Sequence, residues 1–119
     1  HLWKTGERVK TALGEKFAAL DLLDVISTQG KPPWLLLSFS EQDNCSAWQL
    51  KTLFLQEMLA RGILIQGGHN FSFAHREEHI DKLLTTYDEV LVILQKAVHE
   101  GRINTLLEAP AMRPLFQVR

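Results

Sequence analysis

A single cysteine, Cys45, occurs in 119 residues, so the chain forms no internal disulfide. That excludes a disulfide-stapled secreted scaffold, and a cytoplasmic setting is expected. Cys45 stands in EQDNCSAW, beside an acid and amides rather than bases, which leaves a nucleophilic thiol without an activating neighbour. Clusters of charge are lacking too. Thirteen Lys and Arg against fourteen Asp and Glu give a net charge of −1, with no basic run. Neither nucleic acid nor a membrane surface is an expected partner. No apolar run approaches the roughly 20 residues of a bilayer span. WLLLSF is strand length. HLWKTGERVK, at the start, has no signal-peptide core. No G-x-G-x-x-G or G-x-x-x-x-G-K-[ST] pattern, internal repeat or low-complexity segment is present.

What is there suits one domain over 1–119, with 45% hydrophobic residues. A chain of this length buries roughly two-thirds of its unfolded surface. His1 is not a translational start, so either an expression scar or a domain cut is expected.

Apolar spacing sets the elements. Val9, Leu13, Phe17 and Leu20 recur every three or four residues and predict a helix over 3–20, with Gly6 and Gly14 weakening it. DVISTQG and WLLLSFS, joined through GKPP, predict a strand pair. Three successive leucines, 35–37, suggest a strand covered on both faces. Ser46 and Gln49 form a capping box ahead of a helix carrying Leu50, Leu53, Phe54 and Met58, with Gly62 as its stop. ILIQ at 63–66 is expected as a third strand, GGHN as a turn, and FSFA as a short fourth strand. The longest helix starts near residue 76, carries Ile80, Leu83, Leu84, Tyr87, Leu91 and Leu94, and ends at Gly101. The tail, 102–119, is expected to be irregular apart from one short helical turn. The fold class is therefore α+β: a two-layer small domain, with a three- to four-stranded, mostly antiparallel sheet covered by helices. Trp3, Trp34 and Trp48 lie in separate elements, where core or edge packing is expected.

HREEH, at 75–79, matches the H-x-x-E-H pattern of zinc peptidases. Two histidine ligands must share one helical face, yet His75 falls at or before the first turn. None of the acids Asp81, Asp88, Glu89, Glu100 and Glu108 stands in a recognisable ligand context. Glu77 and Glu78 suit the positive end of a helix. The stretch is read as a helix start, with no metal. His69, Ser72 and His75 do not have the spacing of a nucleophile and base. The residues alone thus describe an α+β domain with no complete active site.

The run LKTLFLQEMLARGILIQGGHNFSFAHREEHIDKLLTTYDEVL resembles the C-terminal small domain of class III pyridoxal-phosphate-dependent aminotransferases. Within them it is most similar to the glutamate-1-semialdehyde aminomutase branch. The resemblance rests on Met58-Leu59, Gly62, the Ser-x-Ala-His segment ending at His75, and the acid-rich helix from 76 onward. LWKTGERVKTAL and GKPPWLLLSF are similar to the helix and strand pair that open that domain, so the likeness covers nearly the whole chain. Arg76 stands where the family has a Thr or Ser cap, and His79 where Asp is common.

The resemblance implies amino-group transfer, with pyridoxal phosphate as cofactor of the full-length enzyme. It implies a large domain of the same chain as partner, and a homodimer. The Schiff-base lysine and the other cofactor-binding residues of the family lie in that large domain. No catalytic or cofactor-binding residue is therefore expected in this chain, nor activity from it alone. His69, Asn70, Ser72 and His75 are expected on the cleft side. The rival reading is a free-standing ligand-binding or regulatory α+β domain.

Overall fold

The computed structural model describes residues 1–72 and 74–112. Helix α1 runs Leu2–Ala19 and buries Val9, Leu13 and Phe17, the stripe seen in the sequence. The two glycines of α1 differ. A Cβ on Gly6 would collide with the backbone carbonyl of Pro32, so Gly6 lets the β1–β2 connection lie against the helix. Gly14 has open space where a Cβ would stand.

Strands β1 (Ile26–Gln29) and β2 (Trp34–Phe39) pair antiparallel, with Ile26 opposite Phe39 and Gln29 opposite Leu36. Helix α2 (Ala47–Ala60) opens on the expected capping box. The Gln49 N–H donates to Ser46 Oγ (3.0 Å), and the Ser46 N–H donates to Gln49 Oε1 (2.8 Å). Gly62 follows the C-cap Arg61 at φ +85°, a conformation that costs glycine no Cβ strain. Helix α3 (Glu77–His99) buries Ile80, Leu83, Tyr87, Val90, Leu91 and Leu94. Gly101, at φ +65°, ends it.

The third strand is not where the apolar letters put it. Residues 63–66 form no ladder; β3 is Gly68–Asn70, inside the segment expected to be a turn. Leu35 of β2 pairs with His69, and Leu36 with Gly68. A Cβ on Gly68 would lie 2.8 Å from the Leu35 carbonyl oxygen, so the glycine is what permits this approach. Ile63 and Ile65 instead pack their side chains against the core while Leu64 points to solvent. No fourth strand forms at 71–74 among the described residues, and Phe73 of that expectation lies outside them. Phe71 is buried and its N–H donates to the Pro33 carbonyl (2.9 Å), which carries the chain one step past β3 before it turns.

The sheet order is β1-β2-β3, antiparallel throughout. The helices lie on one face, so Leu35 is fully buried while Leu36 and Trp34 are 44% and 61% exposed. The strand is thus not covered on both faces: alternation sends Leu36 to the side that carries no helix. Nor do the tryptophans pack inside; Trp3 and Trp48 are also exposed. In the tail, helix α4 (Ile103–Leu106) is the one short helical turn, and 107–112 is irregular. That segment lies along α2, with the Glu108 N–H donating to Gln56 Oε1 and the Met112 N–H to Thr52 Oγ1 (2.8 Å each). The remainder of the tail, 113–119, lies outside the described residues.

Gly6→Ala should lower unfolding free energy by about 1–3 kcal/mol through overpacking. Gly14→Ala should raise it by up to about 1 kcal/mol through helix propensity. Urea denaturation of the two variants checks the pair, and equal effects would contradict this packing.

Candidate functional site

Tyr87 enters the middle of the core from α3 and is fully buried. A buried hydroxyl needs a partner. Among the described residues that partner is Nε2 of His69, 2.6 Å away. The Leu35–His69 register turns His69 inward from β3, so the two elements meet there. Phe71 stacks on the His69 ring at 5.8 Å between centroids, and Phe54 lies 5.6 Å from Tyr87 on the other side. Burial holds the His69 imidazole well below its ordinary range, at about 4, with a smaller push from His75. Burial pushes the Tyr87 phenol up, so it stays protonated. The hydroxyl has no other acceptor among the described residues, so it donates to Nε2, and His69 carries its proton on Nδ1.

Two more histidines follow, each accepting the backbone N–H of the residue three before it. The Ser72 N–H donates to His75 Nδ1, and the Arg76 N–H donates to His79 Nδ1, both at 3.0 Å. His79 thus takes the place of the Glu or Gln at the third helical position of a capping box. The Arg76 side chain has no acceptor atom, so only this half of the box forms. Glu77 and Glu78 occupy the first turn, as the helix dipole favours. Glu77 and Asp81 also hold Arg8 of α1, at 2.7 and 2.6 Å.

His69, Asn70 and His75 line one hollow of about 420 Å³. Its other walls are the 62–65 segment and the face of α3 carrying His79, Ile80, Lys82 and Leu83. Ser72 does not line it; its backbone positions His75, and its hydroxyl accepts the Ala74 N–H at 3.3 Å. His79 and Lys82 were not expected in a ligand site. Their spacing of four and seven residues from His75 is the available signal. Among the described residues, no three His, Cys, Asp or Glu side chains gather where one metal ion would sit. His75 and His79 each commit Nδ1 to the backbone. Cys45 is buried, and burial with the Glu41 carboxylate pushes its thiol up, away from nucleophilic reactivity.

A second hollow, of about 480 Å³, lies beside β2 and β3, between Trp34, Leu36, Gln66 and the Lys51 side chain of α2.

Among solved structures the chain is similar to one described as a transaminase with PLP bound, at TM-score 0.69 and 18% identity. The match covers 82% of this chain and 24% of that one, so the chain spans about a quarter of that transaminase's length. At this identity the likeness is one of fold. No family model and no curated protein matches the chain. A seat for pyridoxal phosphate needs a lysine for the Schiff base and an acid at the pyridine nitrogen. The first hollow holds Lys82 and the second Lys51, each without an acidic side chain. These residues do not by themselves fit the cofactor.

The depressed His69 imidazole gives a pH dependence of known sign. It is neutral when folded but titrates near its usual 6.5 when unfolded, so the unfolded state binds the extra proton in between. This contribution to stability is intact above pH 6.5 and is lost as pH falls towards 4. The loss amounts to roughly 3 kcal/mol at the lower end. The unfolding free energies of the parent and His69→Gln, from urea titrations between pH 7 and 4, should differ less at the lower pH by that amount. A constant difference would contradict a buried neutral imidazole.

Proposed function

We propose that this chain is the C-terminal small domain of a class III pyridoxal-phosphate-dependent aminotransferase, of the glutamate-1-semialdehyde aminomutase branch. The observation that carries this reading is the extent of the fold match: most of this chain, but a quarter of the transaminase. The order of Met58-Leu59, Gly62, Ser72, His75 and the α3 helix supports the same branch. On this reading a large domain of the same protein holds the cofactor, which supplies the electron sink when bound. The small domain closes one side of the cleft, with His69, Asn70, Ser72 and His75 towards it. A cytoplasmic homodimer belongs to the same reading.

The open face of the sheet supports a missing neighbour. Trp34 and Leu36 project from β2, beside Gly68 of β3, and no layer of the described residues covers them. Exposed apolar surface of this kind marks an interaction site. Its occupant here is the large domain.

The chain alone is expected not to transaminate. Incubation with pyridoxal phosphate followed by borohydride should leave no stoichiometric adduct on any single lysine; such an adduct would overturn this division of labour. The reading further expects the gene to encode a pyridoxal-lysine domain upstream of His1. A start codon at this position would favour the free-standing ligand-binding domain. Replacing Trp34 and Leu36 together by Gln should abolish apolar-dye binding and self-association of the chain. A parent chain that shows neither would remove the sheet face as the docking surface.

A further inference from the structure

The hollow beside His69 presents hydrogen-bond donors from its charged and imidazole side chains, and each tautomer follows from a bond already described. Nε2 of His69 accepts the hydrogen bond of the Tyr87 hydroxyl, which leaves the ring proton on Nδ1. That nitrogen has no partner among the described residues, yet no buried side-chain nitrogen or oxygen is left unpaired there. Nδ1 is therefore accessible, at the hollow its ring lines. His75 and His79 accept backbone N–H groups on Nδ1, which leaves Nε2–H on each. Lys82 adds an ammonium, and among the described residues no acidic side chain lines the space; Glu78, whose Oε1 stands 4.0 Å from His79 Nε2, is outside the lining. Ile63, Ile65, Phe71, Ile80 and Leu83 supply apolar walls. About 420 Å³ is room for a small organic molecule.

We propose that this hollow, between the 62–65 segment, β3 and the start of α3, binds a small organic monocarboxylate. The carboxylate meets the N–H groups of His69, His75 and His79 and the ammonium of Lys82; the apolar body lies on the isoleucines and Phe71. A group that only accepts hydrogen bonds matches walls that donate them. One permanent cation suits one negative charge better than the two of a phosphate. The apolar walls require a carbon body, which an inorganic anion lacks. The site belongs to this chain's own residues and stands whether or not the chain is part of a transaminase.

The test is an NMR titration of the ¹⁵N-labelled chain with 4-methylpentanoate, with 4-methylpentanamide and inorganic phosphate as comparisons. Saturable shifts at the three histidines are expected with the acid, at an affinity at least about tenfold above that of the amide or phosphate. Lys82→Gln, at an exposed position, should weaken the acid by about tenfold. His79→Glu preserves the acceptor for the Arg76 N–H and so the helix start, but sets a negative charge at the mouth. It should abolish binding while leaving the unfolding midpoint near the parent's. Absence of saturable shifts, equal binding of acid and amide, tighter binding of phosphate, or parent-like affinity in both variants would each overturn the proposal.

Discussion

The hydroxyl of Tyr87 lies at full burial in the centre of the core, and much of the fold answers to the need to satisfy it. A buried phenol without a partner costs about 1–3 kcal/mol. His69 is the partner, and it reaches the hydroxyl from β3 at 68–70, paired opposite Leu35. Around this bond a chain of rings links four elements: Phe39 of β2, Phe54 of α2, Tyr87 of α3 and His69 of β3, with neighbours 5.5 to 5.7 Å apart. The same contact that completes the core therefore orients the imidazole at the edge of the hollow.

Histidine performs three separate tasks within eleven residues. His69 satisfies a buried hydroxyl, His75 receives a backbone N–H from the turn before α3, and His79 completes the helix start. Each uses one ring nitrogen structurally, and the other nitrogen of His79, Nε2, stands 4.0 Å from Glu78 Oε1. HREEH therefore reads as a helix-start device rather than a metal site. Its two histidines hold the backbone through Nδ1, and its acids serve the helix dipole and Arg8. On the sheet, Leu35 faces the helices and is buried, while Trp34 and Leu36 on the other side are exposed.

Much of the secondary structure was legible because it depends on neighbours along the chain. The stripes of α1, α2 and α3, the Ser46–Gln49 box and the stops at Gly62 and Gly101 are relations across three or four residues, which spacing reveals. The candidate site was legible in part. His69, Asn70 and His75 share a hollow, whereas His79 and Lys82 join them only because α3 presents one face to the 62–65 segment. Ile63 and Ile65 misled for a related reason: their β-branched character is that of a strand, but they spend it on side-chain packing without a ladder.

By itself the sequence determined a small α+β domain, its three long helices and the β1–β2 pair, since each follows from local periodicity and end chemistry. Only the tertiary structure decided that Gly68-His69-Asn70 is the third strand, that Trp34 and Leu36 face away from the core, and that three imidazoles border one hollow. Those outcomes rest on contacts between residues far apart in the chain: the close pass of Gly68 over Leu35, and the reach of His69 to Tyr87. Strand register and the convergence of side chains are properties of packing, and periodicity within one segment carries no information about them.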